Sequence, residues 1–227
     1  MTPTEKHKEE QDELKTLRMN RILDASFELF AERGIDTIAM TDIAKKAEIG
    51  VASLYRYFET KEDLAIEVAI HAWKKEEKIF HQVYSSSDYD SKTGFEQLRV
   101  LLNIFTTAID SQTKFFRFIY FFDGFVKKEN VDIERLSKYE SIITNVNLIV
   151  LNALEKGVSD GSINYQKSEN NHISNASIKE MHFTIMHALF SMAQKMALSG
   201  EMLYMDREVS ASTQLELMGN LILASIR

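Results

Sequence analysis

Between residues 18 and 33 the apolar positions Ile22, Leu23, Phe27, Leu29 and Phe30 recur three and four apart, and Gly34 follows where a helix would stop. The pattern predicts a first helix over 18–33, entered from a charged stretch, 1–17, that is expected to fray and has Leu14 and Leu17 as its only anchors. Thr41 and Asp42 offer capping chemistry for a short second helix with Ile43, Ala44 and Ala47 on one side. Gly50 marks a turn, and 51–58 reads as a third helix whose Leu54 and Phe58, with Val51, face inward. A fourth helix starts at Lys61 or Glu62, where Glu62 and Asp63 suit the positive end of a helix, and runs to Tyr84.

The segment 85–94 reads as a loop. Phe95, Leu98, Leu101, Leu102, Phe105, Ala108 and Ile109 then form one apolar helix face. Residues 113–126 are apolar nearly all round, which predicts a buried helix; a further helix over 131–156 ends at Gly157. The polar stretch 159–177 is a long connection, followed by helices over about 178–198 and 208–226. No strand alternation and no repeat is visible. The pattern predicts an all-α chain of about nine helices, divided into a domain over 1–64 and a larger one over 65–227.

Composition narrows the function classes. The 227 residues contain no cysteine and a single proline, Pro3, so disulfides and thiolate metal sites are excluded and no proline interrupts a helix beyond residue 3. No run approaches the ~18 apolar residues that span a bilayer, and the first fifteen residues are too charged for a signal peptide, so a soluble cytoplasmic protein is expected. A net charge of −7 argues against broad coating of nucleic acid. Residues 1–70 carry ten Lys/Arg against fifteen Asp/Glu, so bulk charge gives no hint of a nucleic-acid partner.

The local pattern gives one. Residues 40–64, MTDIAKKAEIGVASLYRYFETKEDL, are two short helices joined by a tight turn and followed at once by a third, the layout of a helix-turn-helix. With Leu54 and Phe58 inward, Ala52, Ser53, Tyr55, Arg56 and Tyr57 lie outward. Small residues at the helix start allow close entry into a major groove, arginine can donate twice to guanine, and tyrosine hydroxyls and Lys61 can reach phosphates.

The wider stretch 18–66 closely resembles the DNA-binding domain of the TetR/AcrR family of transcriptional regulators, through Ile43-Ala44, Leu54-Tyr55-Arg56-Tyr57-Phe58, Lys61 and the helix-ending Gly34. The resemblance implies Tyr55, Tyr57 and Lys61 as phosphate contacts, and Thr41, Ala52, Ser53 and Arg56 near base edges. Two departures are Glu48 and Ala52, where family members often carry glycine. It further implies a homodimer formed through the last two long helices, operator DNA as partner, and a small-molecule effector whose binding releases the DNA. The fourth helix, from Lys61 to Trp73, is the natural lever. A helical interaction module, or a DNA-binding protein without ligand control, is the alternative.

For the effector, the stretch 115–125, FFRFIYFFDGF, offers rings that serve either as core or as pocket walls. Phe116, Tyr120 and Asp123 share a helical face at i, i+4 and i+7, and a buried Asp123 would need a partner. Trp73, Phe105, His182 and Met186 complete the expected wall. No HExxH, P-loop or GxSxG is present, and Glu77–His81 is a lone i, i+4 pair, so neither an enzyme, a metal site nor a cofactor is expected.

Overall fold

The computed structural model of the chain describes residues 3–164, 175–200, 202 and 204–227. Among them there is no strand, and the order is α1 (Pro3–Arg33), α2 (Met40–Lys46), α3 (Val51–Tyr57), α4 (Lys61–Tyr84), α5 (Ser87–Ser91), α6 (Gly94–Thr107), α7 (Thr113–Lys128), a 3-10 turn (Ile133–Leu136), α8 (Ser137–Asp160), α9 (Ile178–Ser199), α10 (Tyr204–Glu208) and α11 (Ala211–Ser225). The all-α expectation holds, with two one-turn helices, α5 and α10, added to the nine read from periodicity. Helix α5 lies inside the expected loop 85–94 because Ser86 caps it, its hydroxyl accepting from the Tyr89 amide, and Tyr89 is buried. Helix α1 is continuous from Pro3 rather than from residue 18, since Glu, Lys, Gln and Leu dominate its exposed first turns and all favour helix. Of the expected connection 159–177, residues 165–174 lie outside the described residues, and α8 extends to Asp160.

The chain forms two compact units, and these interleave in sequence. One comprises the described part of Met1–Ala72 with Phe118–Tyr139; the other is Trp73–Arg117 with Glu140–Arg227. The linear division at residue 64 does not describe this, because 118–139 returns to the N-terminal unit.

In the first unit Ile22, Phe30, Ile35, Ile38, Ile43, Leu54 and Leu64 are fully buried. Phe118 inserts beside Phe27 and Phe30, with ring centroids 5.3 and 6.4 Å away. Lys128 pairs with Asp36 at 2.6 Å and Arg135 with Asp63 at 2.7 Å, tying the returning segment to the turns on either side of the helix-turn-helix. Both pairs are exposed and contribute orientation more than stability.

In the second unit α11 packs on α6 and α9. The start of α6 meets the end of α8 closely: the Gly94 amide donates to Asp160 Oδ2 at 2.8 Å and the Phe95 amide to Ser162 Oγ at 3.1 Å. Two of the free amides of the α6 N-terminus are thus satisfied across the junction. Among the described residues no helix is long and apolar enough to cross a membrane.

Candidate nucleic-acid interface and cavity

The turn between α2 and α3 is built locally. The Ala39 amide donates to Asp42 Oδ2 at 3.2 Å, fixing the start of α2, and the Ala47 and Ile49 amides return to Ile43 and Ala44 carbonyls. Glu48 takes the left-handed conformation, φ 54°, in a position where glycine is unstrained. Its carboxylate lies 3.6 Å from Arg21 of α1, a solvent-facing pair. Gly50 caps α3.

Leu54 and Phe58 are buried as expected, whereas Val51 is exposed at the first position of α3. Thr41, Ala52, Tyr55 and Arg56 are exposed; Ser53 and Tyr57 are half-buried. Arg56 Nη2 donates to Ser53 Oγ at 3.0 Å, so two of the outward side chains hold each other one turn apart on α3. The six residues share the surface of α2 and α3 around a single turn.

Lys61 stands apart from them. Its Nζ donates to the carbonyls of Ile35 at 3.0 Å, Asp36 at 3.3 Å and Ile38 at 3.1 Å, and lies 6.0 Å from the Phe125 ring centre. All three N–H donors are engaged, so the ammonium closes the turn after α1 instead of projecting as a free cation. Its place at the start of α4 gave no local sign of this, because the acceptors lie 23 to 26 residues away.

The aromatic helix α7 divides. Phe118, Phe122 and Phe125, at i, i+4 and i+7, are buried in the first unit, while Phe115 and Phe116 belong to the second. Tyr120 and Asp123 are exposed: Tyr120 is 49% accessible and meets the Phe121 ring edge-on. Of the expected face Phe116, Tyr120 and Asp123, Phe116 alone is buried.

Within the second unit a cavity of about 300 Å³ opens among α4, α6, α7, α8 and α9. Of the expected wall, Trp73, Phe105, Phe116 and Met186 line it. Phe190, which stacks on Trp73 at 5.7 Å and meets Phe105 and Phe116, completes an aromatic cluster. His182 is buried but does not line the cavity; burial, opposed by a hydrogen bond to the Asn147 backbone, lowers its pKa and keeps the ring neutral near pH 7.

The wall also contains Glu76, which sequence reasoning missed. Glu76 is half-buried, and desolvation, only partly offset by the neighbouring Lys75 ammonium, pushes its pKa from 4.5 to about 7. In sequence it sits in the charged run KKEEK, 74–78, which reads as a solvated face. The signal was its spacing: Trp73, Glu76 and Phe80 are i, i+3 and i+7 on α4.

The sequence profile of bacterial regulatory proteins of the tetR family matches residues 22–68. The chain is similar to the HTH-type transcriptional regulator LuxR of Vibrio harveyi, 41% identical over 54 residues, which is 24% of this chain and 26% of that one. It is also similar to an HTH-type transcriptional regulator of Staphylococcus aureus, 31% identical over 94 residues, 41% of this chain and 49% of that one. These matches thus span a quarter to a half of the relatives' own length. In fold it is similar to the transcriptional regulator FadR of Bacillus subtilis, solved in complex with stearoyl-CoA, with a TM-score of 0.60 and 18% identity over 91% of this chain and 98% of the other.

Proposed function

Since residues 22–68 match the profile of the tetR family of bacterial regulatory proteins, we propose that the chain is a sequence-specific DNA-binding transcriptional repressor of that kind, released from a palindromic operator by a small, largely apolar or aromatic effector. The observation that carries the reading is α3: seven residues on a two-residue hydrophobic anchor, presenting Ala52, Ser53, Tyr55 and Arg56 outward from a turn fixed by its own backbone. Small residues at the α3 start permit groove entry, Arg56 reads bases, and Tyr55 and Tyr57 hold phosphates. One helix of this length reads few bases, so a two-fold dimer is required, contacting half-sites ~34–36 Å apart or a multiple of that. Helices α9 and α11 supply a face for it: Phe183, Leu217 and Leu221 are exposed apolar residues on them. A protein of this kind works on the chromosome and therefore in the cytoplasm, without catalysis.

The cavity is the effector site. Binding there and binding to DNA disfavour each other by one coupling free energy, typically ~1–3 kcal/mol, with α4 contributing residues both to the DNA-binding unit and to the cavity wall. The neighbour's stearoyl-CoA does not transfer simply, because none of the lining residues is a lysine or arginine that would meet its phosphates.

Fluorescence anisotropy on the DNA flanking the coding region tests the reading, with a shuffled duplex as competitor. Retention on the flanking duplex alone is expected. Arg56→Ala should reduce discrimination against single-base changes in the site about tenfold, within the ~1–3 kcal/mol of a good base contact, with little effect on shuffled DNA. Lys61→Ala should behave differently: it should lower the unfolding free energy by about 1–2 kcal/mol, as charged hydrogen bonds to carbonyls are lost, and leave the salt dependence of DNA binding unchanged. A salt slope shallower by about one would instead place the Lys61 ammonium on a phosphate.

A further inference from the structure

We propose that the cavity of the second unit is built for a monocationic aromatic amphiphile, whose positive centre lies against the Glu76 carboxylate among the surrounding rings. This deepens the reading of the cavity as the effector site and rests on it. The lining is otherwise uncharged: Glu76 is the one ionisable residue in it among the described residues, accompanied by the polar side chains of Thr107, Ser111, Gln112 and Asn147. An anionic ligand would therefore meet a carboxyl group and no counter-charge, and a purely apolar one would cover a half-buried carboxyl without offering it a partner. A cation satisfies it. The rings of Trp73, Phe80, Phe105, Phe115, Phe116 and Phe190 supply faces and edges on which a weakly hydrated cation is also attracted to the aromatic quadrupole.

A second polar group on the same wall is unsatisfied. Trp73, only 8% accessible, has its indole Nε1 buried without a hydrogen-bond partner, and it stands one turn before Glu76 on the same face of α4. An indole N–H donates only, so the ligand that completes this wall carries an acceptor close to its positive centre. Burial already holds Glu76 half-protonated near neutrality, and a bound cation would draw it into the carboxylate form. The charged group that acts on it is Lys75, its own neighbour on α4. At about 300 Å³ the cavity is at the small end of the ~300–1,000 Å³ range of ligand sites, which suits a two-ring molecule and excludes a long conjugate.

Trp73 is the single tryptophan of the chain, so its emission reports directly on this wall. Three isosteric probes titrated at pH 8 test the proposal: a biphenylylbutyl-trimethylammonium ion, its neutral tert-butyl analogue, and the matching carboxylate. The cation should bind the wild type at least tenfold more tightly than the neutral analogue, and the carboxylate most weakly. Glu76→Gln should abolish the preference while holding the neutral analogue within about twofold, which shows the cavity still formed. Equal binding of cation and neutral analogue, tightest binding of the carboxylate, or a cation preference that survives Glu76→Gln would each overturn it. If no probe changes Trp73 emission, the cavity reading falls and the proposal with it. If the cation binds selectively but DNA affinity is unaltered, the proposal stands and release by effector is what fails.

Discussion

Gly94→Ala should destabilise the second unit by about 4 kcal/mol, at the severe end for a single substitution. A Cβ placed on Gly94 would stand 1.9 Å from the Gly157 amide nitrogen, 2.3 Å from its Cα and 2.6 Å from the Ala153 carbonyl oxygen. All three are backbone atoms of α8, so no side-chain rotation relieves the clash. Either α6 moves away from α8 by more than an ångström or the junction opens. Moving α6 also breaks the bonds from the Gly94 and Phe95 amides to Asp160 and Ser162. The Asp160 carboxylate, whose pKa is lowered by its bonds to Ser162 and Gly94, would lose the Gly94 amide and keep only its local bonds to Ser162. Gly124→Ala is the matched control. A Cβ there meets nothing within 4 Å, and in mid-helix α7 the change should stabilise by about 0.5–1 kcal/mol. Urea unfolding of the two variants beside the wild type checks both; similar midpoints for Gly94→Ala and wild type would refute the packing described.

Glu76→Gln should make the protein more stable at alkaline pH and change little in acid. The folded-state pKa of Glu76, about 7, is above its ordinary 4.5, so the folded protein binds this proton more tightly than the unfolded chain does. For a raised carboxyl the sign is a cost: absent below about pH 4.5, growing as pH rises, and complete above about pH 7. A shift of this size corresponds to about 3 kcal/mol at pH 8, at ~1.4 kcal/mol per unit, and under about 1 kcal/mol at pH 5. The difference in unfolding free energy between Glu76→Gln and wild type should follow that course. A constant difference across pH 5 to 8 would mean that the carboxyl is solvated and would remove the physical ground for a charged wall.

The helix-turn-helix was legible because its determinants are local. Leu54 and Phe58 are four apart, Gly50 and Glu48 sit within the turn, and Asp42 caps over three residues. What sequence could not supply was long-range. The return of 118–139 to the N-terminal unit is invisible to periodicity, so the aromatic run could be read as core or as wall but not divided between two units, as Phe118 and Phe122 are from Phe115 and Phe116. The Lys61 bonds to backbone carbonyls 23 to 26 residues distant leave no trace in the local pattern, which shows only a lysine at a helix start. Gly94 sits at the edge of a polar stretch that reads as a loop, and only the packing of its backbone on Gly157 and Ala153 makes it a helix junction. Glu76 was hidden by its charged neighbours, where an i, i+3 relation to Trp73 was the single clue.

If the proposed function holds, two copies of α3 read a two-fold symmetric DNA site. Selection of duplexes from a random library by the purified full-length chain, sequenced after several rounds, tests it most directly. The expected result is an enriched palindrome with half-sites about one helical turn apart or a multiple of it, bound at ~150 mM salt at least ~10³-fold more tightly than unselected DNA, and lost with Arg56→Ala. A library that stays unenriched, or an enriched motif without two-fold symmetry, would contradict it.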